Sequence, residues 1–458
     1  MTEPSSPARI LIANRGELAV RIARAARSLG MQTVLAASAA DRDSLAAREA
    51  DRVVVIGSAQ ARESYLNAPR IMHAAIATGC TALHPGYGFL SERPALVELC
   101  NENGIAFVGP TADSMRRVGD KLSARALARA AGVAMTSGSE KIDDVAQAIE
   151  IAAQIGYPVI TKASAGGGGR GMVVARSEQE LAASFEHASM VAREAFGDGT
   201  LYLERFVERA RHLEVQLMGD GAGRVVHFGE RDCSVQRRYQ KMIEEAPAPI
   251  LPAAARTRLH AAAVALLSGI EYRNAGTVEF LYDEDNEQFY FMEVNARLQV
   301  EHPVSELVTG TDLVSTQLLL ATGQGTLPEQ AQISVRGHAI EVRIIAEDPR
   351  RDFLPSPGRI TCWRPPAGEG IRLDTGFTEG ALVPPYYDSM IAKLIVHGRD
   401  RNEAIERLAG ALAGFEIQGV ATNIELLRFI VDHADYRSNR IDTRWLERAL
   451  LPAFRMHN

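Results

Sequence analysis

The stretch Phe289-Tyr-Phe-Met-Glu-Val-Asn-Ala-Arg-Leu-Gln-Val-Glu-His-Pro303 decides how the rest of the chain reads. Aromatic and aliphatic residues from Phe289 to Val294 predict a strand. Polar groups then recur at every second position: Glu293, Asn295, Arg297, Gln299 and Glu301. In an extended chain, residues two apart share a face. Five polar groups are therefore expected on one surface, with Val294, Leu298 and Val300 on the other. Upstream, Gly276-Thr-Val-Glu-Phe-Leu-Tyr282 leads through a polar loop into Phe289, the pattern of a β-hairpin. Pairing those strands sets Glu279 near Glu293. Two carboxylates inside otherwise apolar strands are costly unless a cation lies between them. Hard oxygen ligands beside Asn295 suit magnesium, which is usually held by one or two carboxylates plus substrate phosphates. A solvated hairpin face gives the same alternation, so both readings stand on this stretch alone.

A second signal lies upstream in Pro158-Val-Ile-Thr-Lys-Ala-Ser-Ala-Gly-Gly-Gly-Gly-Arg-Gly-Met-Val-Val-Ala175. A β-branched strand ends at Lys162, a glycine-rich loop follows, and a second strand begins at Met172. Glycine lets backbone N–H groups approach an anion closely. The pattern GxxxxGK[ST] is absent and the loop joins strand to strand, so this is not a P-loop. It reads as a flap over phosphates with Lys162 as a point charge, the rival being a flexible linker. Between the two signals, His212-Leu-Glu-Val-Gln-Leu-Met218 alternates strictly and turns back through Gly219–Gly223. Its polar face carries His212, Glu214 and Gln216. Glu230–Pro249 is dense in charge, and its Arg237, Arg238 and Lys241 suit either an anionic substrate or a charged surface loop.

Residues 9–115 alternate apolar strands with helices, the signature of a doubly wound parallel sheet. The first turn, Ala13-Asn-Arg-Gly-Glu17, is not GxGxxG, so no dinucleotide site is expected. His84-Pro-Gly-Tyr-Gly-Phe-Leu-Ser-Glu92 is a shaped loop, serving either as a turn or as binding surface. One helical segment is expected over 116–134, with Lys121 near its start facing an anionic ligand or solvent. After residue 330, Glu341 and Arg343 share one strand face, and an α+β region closes the chain.

With 458 residues, the chain is too long for one core. A net charge of −7 with no basic block argues against nucleic acid as the main partner. No apolar run is long enough to span a bilayer, and the polar N-terminus carries no signal pattern. Cys80, Cys100, Cys233 and Cys362 are widely spaced, as expected of reduced thiols in a cytoplasmic protein rather than a disulfide frame or a zinc site.

Taken together the motifs resemble the biotin carboxylases, an ATP-grasp family, from about residue 8 to residue 450. The resemblance rests on an ordered set that includes Ile-Ala-Asn-Arg-Gly-Glu, His-Pro-Gly-Tyr-Gly-Phe-Leu-Ser-Glu, Glu-Arg-Asp-Cys-Ser, Glu-Glu-Ala-Pro-Ala-Pro, Arg-Leu-Gln-Val-Glu-His-Pro-Val and Pro-Pro-Tyr-Tyr-Asp-Ser-Met. It implies a mixed α/β and α+β fold in three parts. These are a Rossmann-like domain over 1–115, an ATP-grasp domain over 116–330 with a lid at about 134–203, and a C-terminal domain over 331–458. It implies ATP activating bicarbonate to carboxyphosphate, then carboxylation of biotin.

By similarity, Lys121, Lys162 and the Gly166, Gly167, Gly168, Gly169 run contact the nucleotide phosphates. Glu204, Arg205, Val207, His212 and Leu281 hold its base and ribose. Glu279, Glu293 and Asn295 match the magnesium or manganese site. Lys241, Arg297, Gln299 and Val300 match the bicarbonate pocket. Lys241 and Arg297 also count among the catalytic residues, with Glu301 as general base and Arg343 stabilising the biotin enolate. Tyr87 lies near the biotin ring.

Tyr239 stands where the family has His at a nucleotide contact, Arg205 where Lys is common, and Ala165 where Gly is frequent. The sequence contains no Met-Lys-Met biotinylation motif. Biotin is thus expected on a separate carrier protein, with carboxyltransferase subunits as further partners and a homodimer implied by the family. The rival readings are an ATP-grasp ligase acting on another nitrogen acceptor and a catalytically silent ATP-binding paralogue.

Overall fold

Alternating apolar strands and amphipathic helices at the start of the chain build a parallel sheet in the computed structural model, which describes residues 8–142, 144–164 and 172–456. Strands β1 (Arg9–Ile12), β2 (Gln32–Ser38), β3 (Arg52–Gly57), β4 (Ala82–His84) and β5 (Ala106–Phe107) lie in the order β3-β2-β1-β4-β5, all parallel. Helix α1 (Gly16–Ser28) buries Leu18, Val20, Ile22, Ala25 and Ala26. The strand order reverses between β1 and β4, the place where open α/β sheets present a crevice. Here the loops after β1 and β4 are tied together. Asn14 Nδ2 donates to the carbonyls of Pro85 and Tyr87, each at 2.8 Å. Gly86 takes a φ of +66° in that loop, and a Cβ there would strike Leu18 and Asn14.

The helical segment expected over 116–134 is two helices, α2 (Ala112–Gly119) and α3 (Lys121–Ala130). Asp120 breaks it, because its side chain accepts from Ser123 N and caps the second helix. A three-stranded antiparallel sheet follows, in the order β7-β6-β8: β6 (Val159–Ala163), β7 (Val173–Ala175) and β8 (Leu201–Arg205). The strands flanking the glycine run are therefore as expected. Gly166–Gly169, assigned to phosphate binding, lie outside the described residues.

The rest of the chain is organised on one eight-stranded sheet. Its strands are β9 (Ala210–Asp220), β10 (Val225–Arg237), β11 (Gln240–Ala246), β12 (Arg273–Asp283), β13 (Gln288–Asn295), β14 (His338–Ile345), β15 (Ile371–Thr375) and β16 (Met390–Gly398). They run in the order β13-β12-β9-β10-β11-β14-β16-β15. Leu213, Val215 and Leu217 enter the core with Leu259, Ala263 and Leu266 of the helix Ala253–Ser268. The alternation in His212–Met218 thus divides the two faces as the sequence predicts. The charge-dense segment Glu230–Pro249 is not a surface loop. Most of it forms β10 and β11, with Glu230, Arg231, Asp232, Glu244 and Glu245 buried. Arg237 and Arg238 turn away from the site toward Asp352.

Candidate active site

Register assembles the site. Across β13, β12, β9 and β10, Glu293 stands opposite Glu279, Glu279 opposite Glu214, and Glu214 opposite Arg231. Directly opposed carboxylates repel one another, so this row needs cations. Arg231 supplies one. It is fully buried and donates to Glu214, to Gln216 Oε1 at 2.8 Å and to Gln299 Oε1 at 2.7 Å. Lys241 supplies the second. Its Nζ lies 2.6 Å from Glu214, 2.9 Å from Glu279 and 2.6 Å from Glu301.

The alternation expected through Glu301 does not continue. Strand β13 ends at Asn295, and helix α4 (His302–Thr309) begins with Pro303 in its first turn. Residues 296–301 turn between them. Leu298 still packs inward. The polar side chains nonetheless converge, by turning rather than by sharing a strand face. Asn295 Nδ2 and Gln299 Nε2 both donate to Glu279 Oε1, at 2.8 and 2.9 Å. Arg297 donates to Asn295 Oδ1 at 2.8 Å and to Glu92 at 2.9 Å.

Glu301 is buried, and its two oxygens meet two cations: Lys241, and Arg343 at 3.1 Å. Burial opposes its ionisation, yet Lys241 and then Arg343 outweigh burial and hold the carboxyl well below its usual range. Arg343 also pairs with Glu244 at 2.6 Å. Burial pushes the Glu244 carboxyl up to about 7 despite Arg343, with Glu301 adding to the rise. Burial and the Glu279 charge likewise raise Glu293, with Lys121 opposing. Glu279 and Glu293 are oxygen donors of the type a hard divalent cation takes, and Glu279 also groups with His212 and Glu214 within metal-ligand reach.

His212 Nε2 lies 2.9 Å from Glu279, and Leu281 stands opposite His212 in register. A second cluster lies on the smaller sheet. Glu204 takes Lys162 Nζ at 2.7 Å, Arg125 at 2.5 Å and Thr136 Oγ1 at 3.0 Å. Burial lowers the Lys121 pKa, and the charges of Glu293, Lys162 and Glu204 all reach it. Arg205 and Val207 line a cavity of about 330 Å³ with Phe206 and Tyr290. Tyr87 donates its hydroxyl to Glu17, and the charges of Glu341 and Arg343 reach it. The departure Tyr239 occupies a two-residue turn with Arg238, both at positive φ, and is half exposed.

Sequence reasoning did not assign Glu214, Arg231, Glu244, Glu17 or Lys393 to the site. Arg231 sits inside the quoted Glu-Arg-Asp-Cys-Ser motif, so its motif was the available signal. For Lys393 it was a lone cation in the apolar run Ile391–Val396.

Three family models cover the chain. Residues 6–115 match the biotin carboxylase N-terminal domain. Residues 120–330 match the ATP-binding domain of the carbamoyl-phosphate synthase L chain. Residues 341–448 match the biotin carboxylase C-terminal domain. Biotin carboxylase 1 of Bacillus subtilis is 46% identical over 440 residues, covering 96% of this chain and 98% of the relative. The structure is similar to that of a Campylobacter jejuni biotin carboxylase in complex with β,γ-ATP. That comparison has a TM-score of 0.94 at 46% identity, covering 96% and 98% of the two chains. It is also similar to the biotin carboxylase domain dimer of Hydrogenobacter thermophilus 2-oxoglutarate carboxylase, solved with MgADP, ADP and bicarbonate. There the TM-score is 0.92 at 43% identity, covering 96% and 97%.

Proposed function

The chain belongs to the biotin carboxylase family of ATP-dependent ligases, and from that membership we propose how its own residues carry out ATP- and bicarbonate-dependent carboxylation of biotin. The observation that carries the proposal is the placement of Glu301 between Lys241 and Arg343. The two cations keep Glu301 in the ionised form a general base must have, while lowering its affinity for a proton, so bicarbonate must draw Lys241 or Arg343 toward itself as the proton moves. Bicarbonate is a weak nucleophile, and Glu301 takes its proton as an oxygen attacks the γ-phosphorus of ATP, breaking the bond to the bridging oxygen so that ADP leaves and carboxyphosphate forms. Lys241 and Arg297 offset the anion's charge, while Gln299 and the Val300 main chain orient it. Phosphoryl transfer needs positioning and charge neutralisation more than covalent help from the protein, which suits this cluster.

Carboxyphosphate is labile in water, so a cover over the site is needed. Lys121 and Lys162 hold the phosphates on the side of that cover. The segment Glu204–Val207, with Arg205, holds the base beside the cavity it lines, and His212 and Leu281 flank the ribose. Glu279 and Glu293, with Asn295 alongside, would hold Mg2+ or Mn2+, which when bound neutralises phosphate charge. Carboxyphosphate then gives up its carboxyl group with release of phosphate, which takes the proton from the biotin nitrogen, and Arg343 stabilises the resulting enolate as that nitrogen is carboxylated, with Tyr87 on the pocket wall. The three parts 1–115, 116–330 and 331–458 act as one enzyme. Biotin arrives on a separate carrier protein, a carboxyltransferase consumes the product, and the subunit works as a homodimer in the cytoplasm.

The test is bicarbonate-dependent ATP hydrolysis with Mg2+, with and without free biotin. A rise on adding biotin is expected. Turnover that neither free biotin nor a biotinylated carrier changes would reject biotin as the acceptor.

A further inference from the structure

Lys393 lies on β16 opposite Arg343 of β14, yet it points to a different set of partners. Its side chain has no exposed surface. Nζ donates to the carbonyl of Val300 at 2.8 Å and lies 3.3 Å from Glu17 and 3.9 Å from Asp374. Asp374 is already paired with Arg372 at 2.7 Å, so Glu17 is the anion in contact that depends on Lys393, with the charge of Glu341 reaching it from farther off. The carbonyl one residue earlier, that of Gln299, takes a hydrogen bond of 2.8 Å from His302 Nδ1. Two successive carbonyls ahead of Glu301 are therefore held from beneath, by an ammonium and an imidazole. Glu17 in turn accepts the hydroxyl of Tyr87. Two hydrogen bonds joined by an ion pair thus connect Tyr87 through Glu17 and Lys393 to the Val300 carbonyl.

Building on the proposed reaction, we infer that Lys393 is a positioning residue. It fixes the Gln299–Glu301 turn so that Glu301 meets Lys241 and Arg343, and through Glu17 it ties that turn to Tyr87 on the biotin side. A lysine that only balanced Glu17 could be removed together with it, since a buried ion pair replaced by neutral groups is often tolerated. A lysine that holds the Val300 carbonyl could not.

The experiment compares the full-length chain with K393M, E17Q and K393M/E17Q. ATP affinity by calorimetry is expected to stay within about twofold of wild type in every folded variant. The double variant removes the Lys393–Glu17 pair together and leaves Arg343 as the cation facing Glu341, so it remains informative where K393M alone fails to fold. Its kcat/KM for bicarbonate is expected to fall about tenfold or more below that of E17Q, the scale of a misplaced reacting group. Its crystal structure is expected to show the Val300 carbonyl released and Glu301 moved off Lys241. A double variant that matches E17Q in kcat/KM, or whose Gln299–Glu301 turn is unmoved, overturns the inference. If the wild-type chain itself shows no bicarbonate-dependent turnover, the proposed reaction fails, and the crystal structure alone decides the positioning role.

Discussion

The Lys241 ammonium and the Glu301 carboxylate are 2.6 Å apart, and the same ammonium also meets Glu214 and Glu279. Glu301 is thereby kept ionised. A carboxyl lowered in the fold stabilises it above the unfolded value of 4.5, and that stabilisation is lost only as pH falls through the lower folded value. The acid limb of a pH–rate profile for the free enzyme is therefore expected to come from another group. Glu301→Gln keeps the size and removes the carboxylate proposed as the base. Turnover should fall by a factor of about 10² to 10⁴ while ATP binding persists, as calorimetry beside a hydrolysis assay would measure.

Glu244 behaves in the opposite sense. Its carboxyl is raised from 4.5 to about 7, so its protonated form favours the fold. That contribution is complete below 4.5 and disappears as pH rises through 7. Thermal melts of the wild type across this window should lose stability relative to E244Q, and the variant should show a flatter profile. Parallel curves for the two proteins would remove Glu244 as the titrating group.

The pairing of Glu279 with Glu293 predicts a cation site with a readout independent of turnover. Mn2+ bound in the presence of ADP can be followed by its electron paramagnetic resonance. E293Q removes one anionic ligand and is expected to weaken that binding by about tenfold or more, matching the loss of a charged ligand worth at least 1.4 kcal/mol. The variant should melt no lower than wild type, because Glu293 is a carboxylate its surroundings push toward neutrality.

Arg231 is a stability anchor. Its guanidinium reaches Glu214, Gln216, Gln299 and Ser305 without contact with solvent. Replacing it with Met leaves buried acceptors unpaired. A loss of about 3–5 kcal/mol is expected, seen as an earlier urea transition by circular dichroism. Saturating MgATP should recover only part of it.

The hairpin that pairs Glu279 with Glu293 was legible because period-two alternation and a polar loop fix both strands and their pairing. The same alternation misled beyond Asn295, where Pro303 in the first turn of a helix ends the strand. Arg231 and Lys241 share a charge-dense run in which nothing local separates a buried strand from a surface loop. Only the register with β9 and β14 separates them. Lys393 and Glu17 are farther from reach, since 375 residues of chain lie between two groups that meet at 3.3 Å. Tertiary adjacency of this kind leaves no local pattern.

Glu279, Glu301's partner Lys241, Arg343 and Lys393 all stand on the eight-stranded sheet, whereas Lys162 and Glu204 stand on the three-stranded one. The Lys241 and Arg343 cations that meet Glu301 and the Lys162–Glu204 pair are thus built on separate frames, while His212 and Leu281, proposed to flank the ribose, belong to the larger one. A displacement of the smaller frame would shift Lys162 and Glu204 together but leave the contact between Glu301 and Lys241 untouched. Substitutions in β6–β8 should therefore alter the timing of the cycle, whereas substitutions in β11 and β14 should alter the chemistry that each cycle performs.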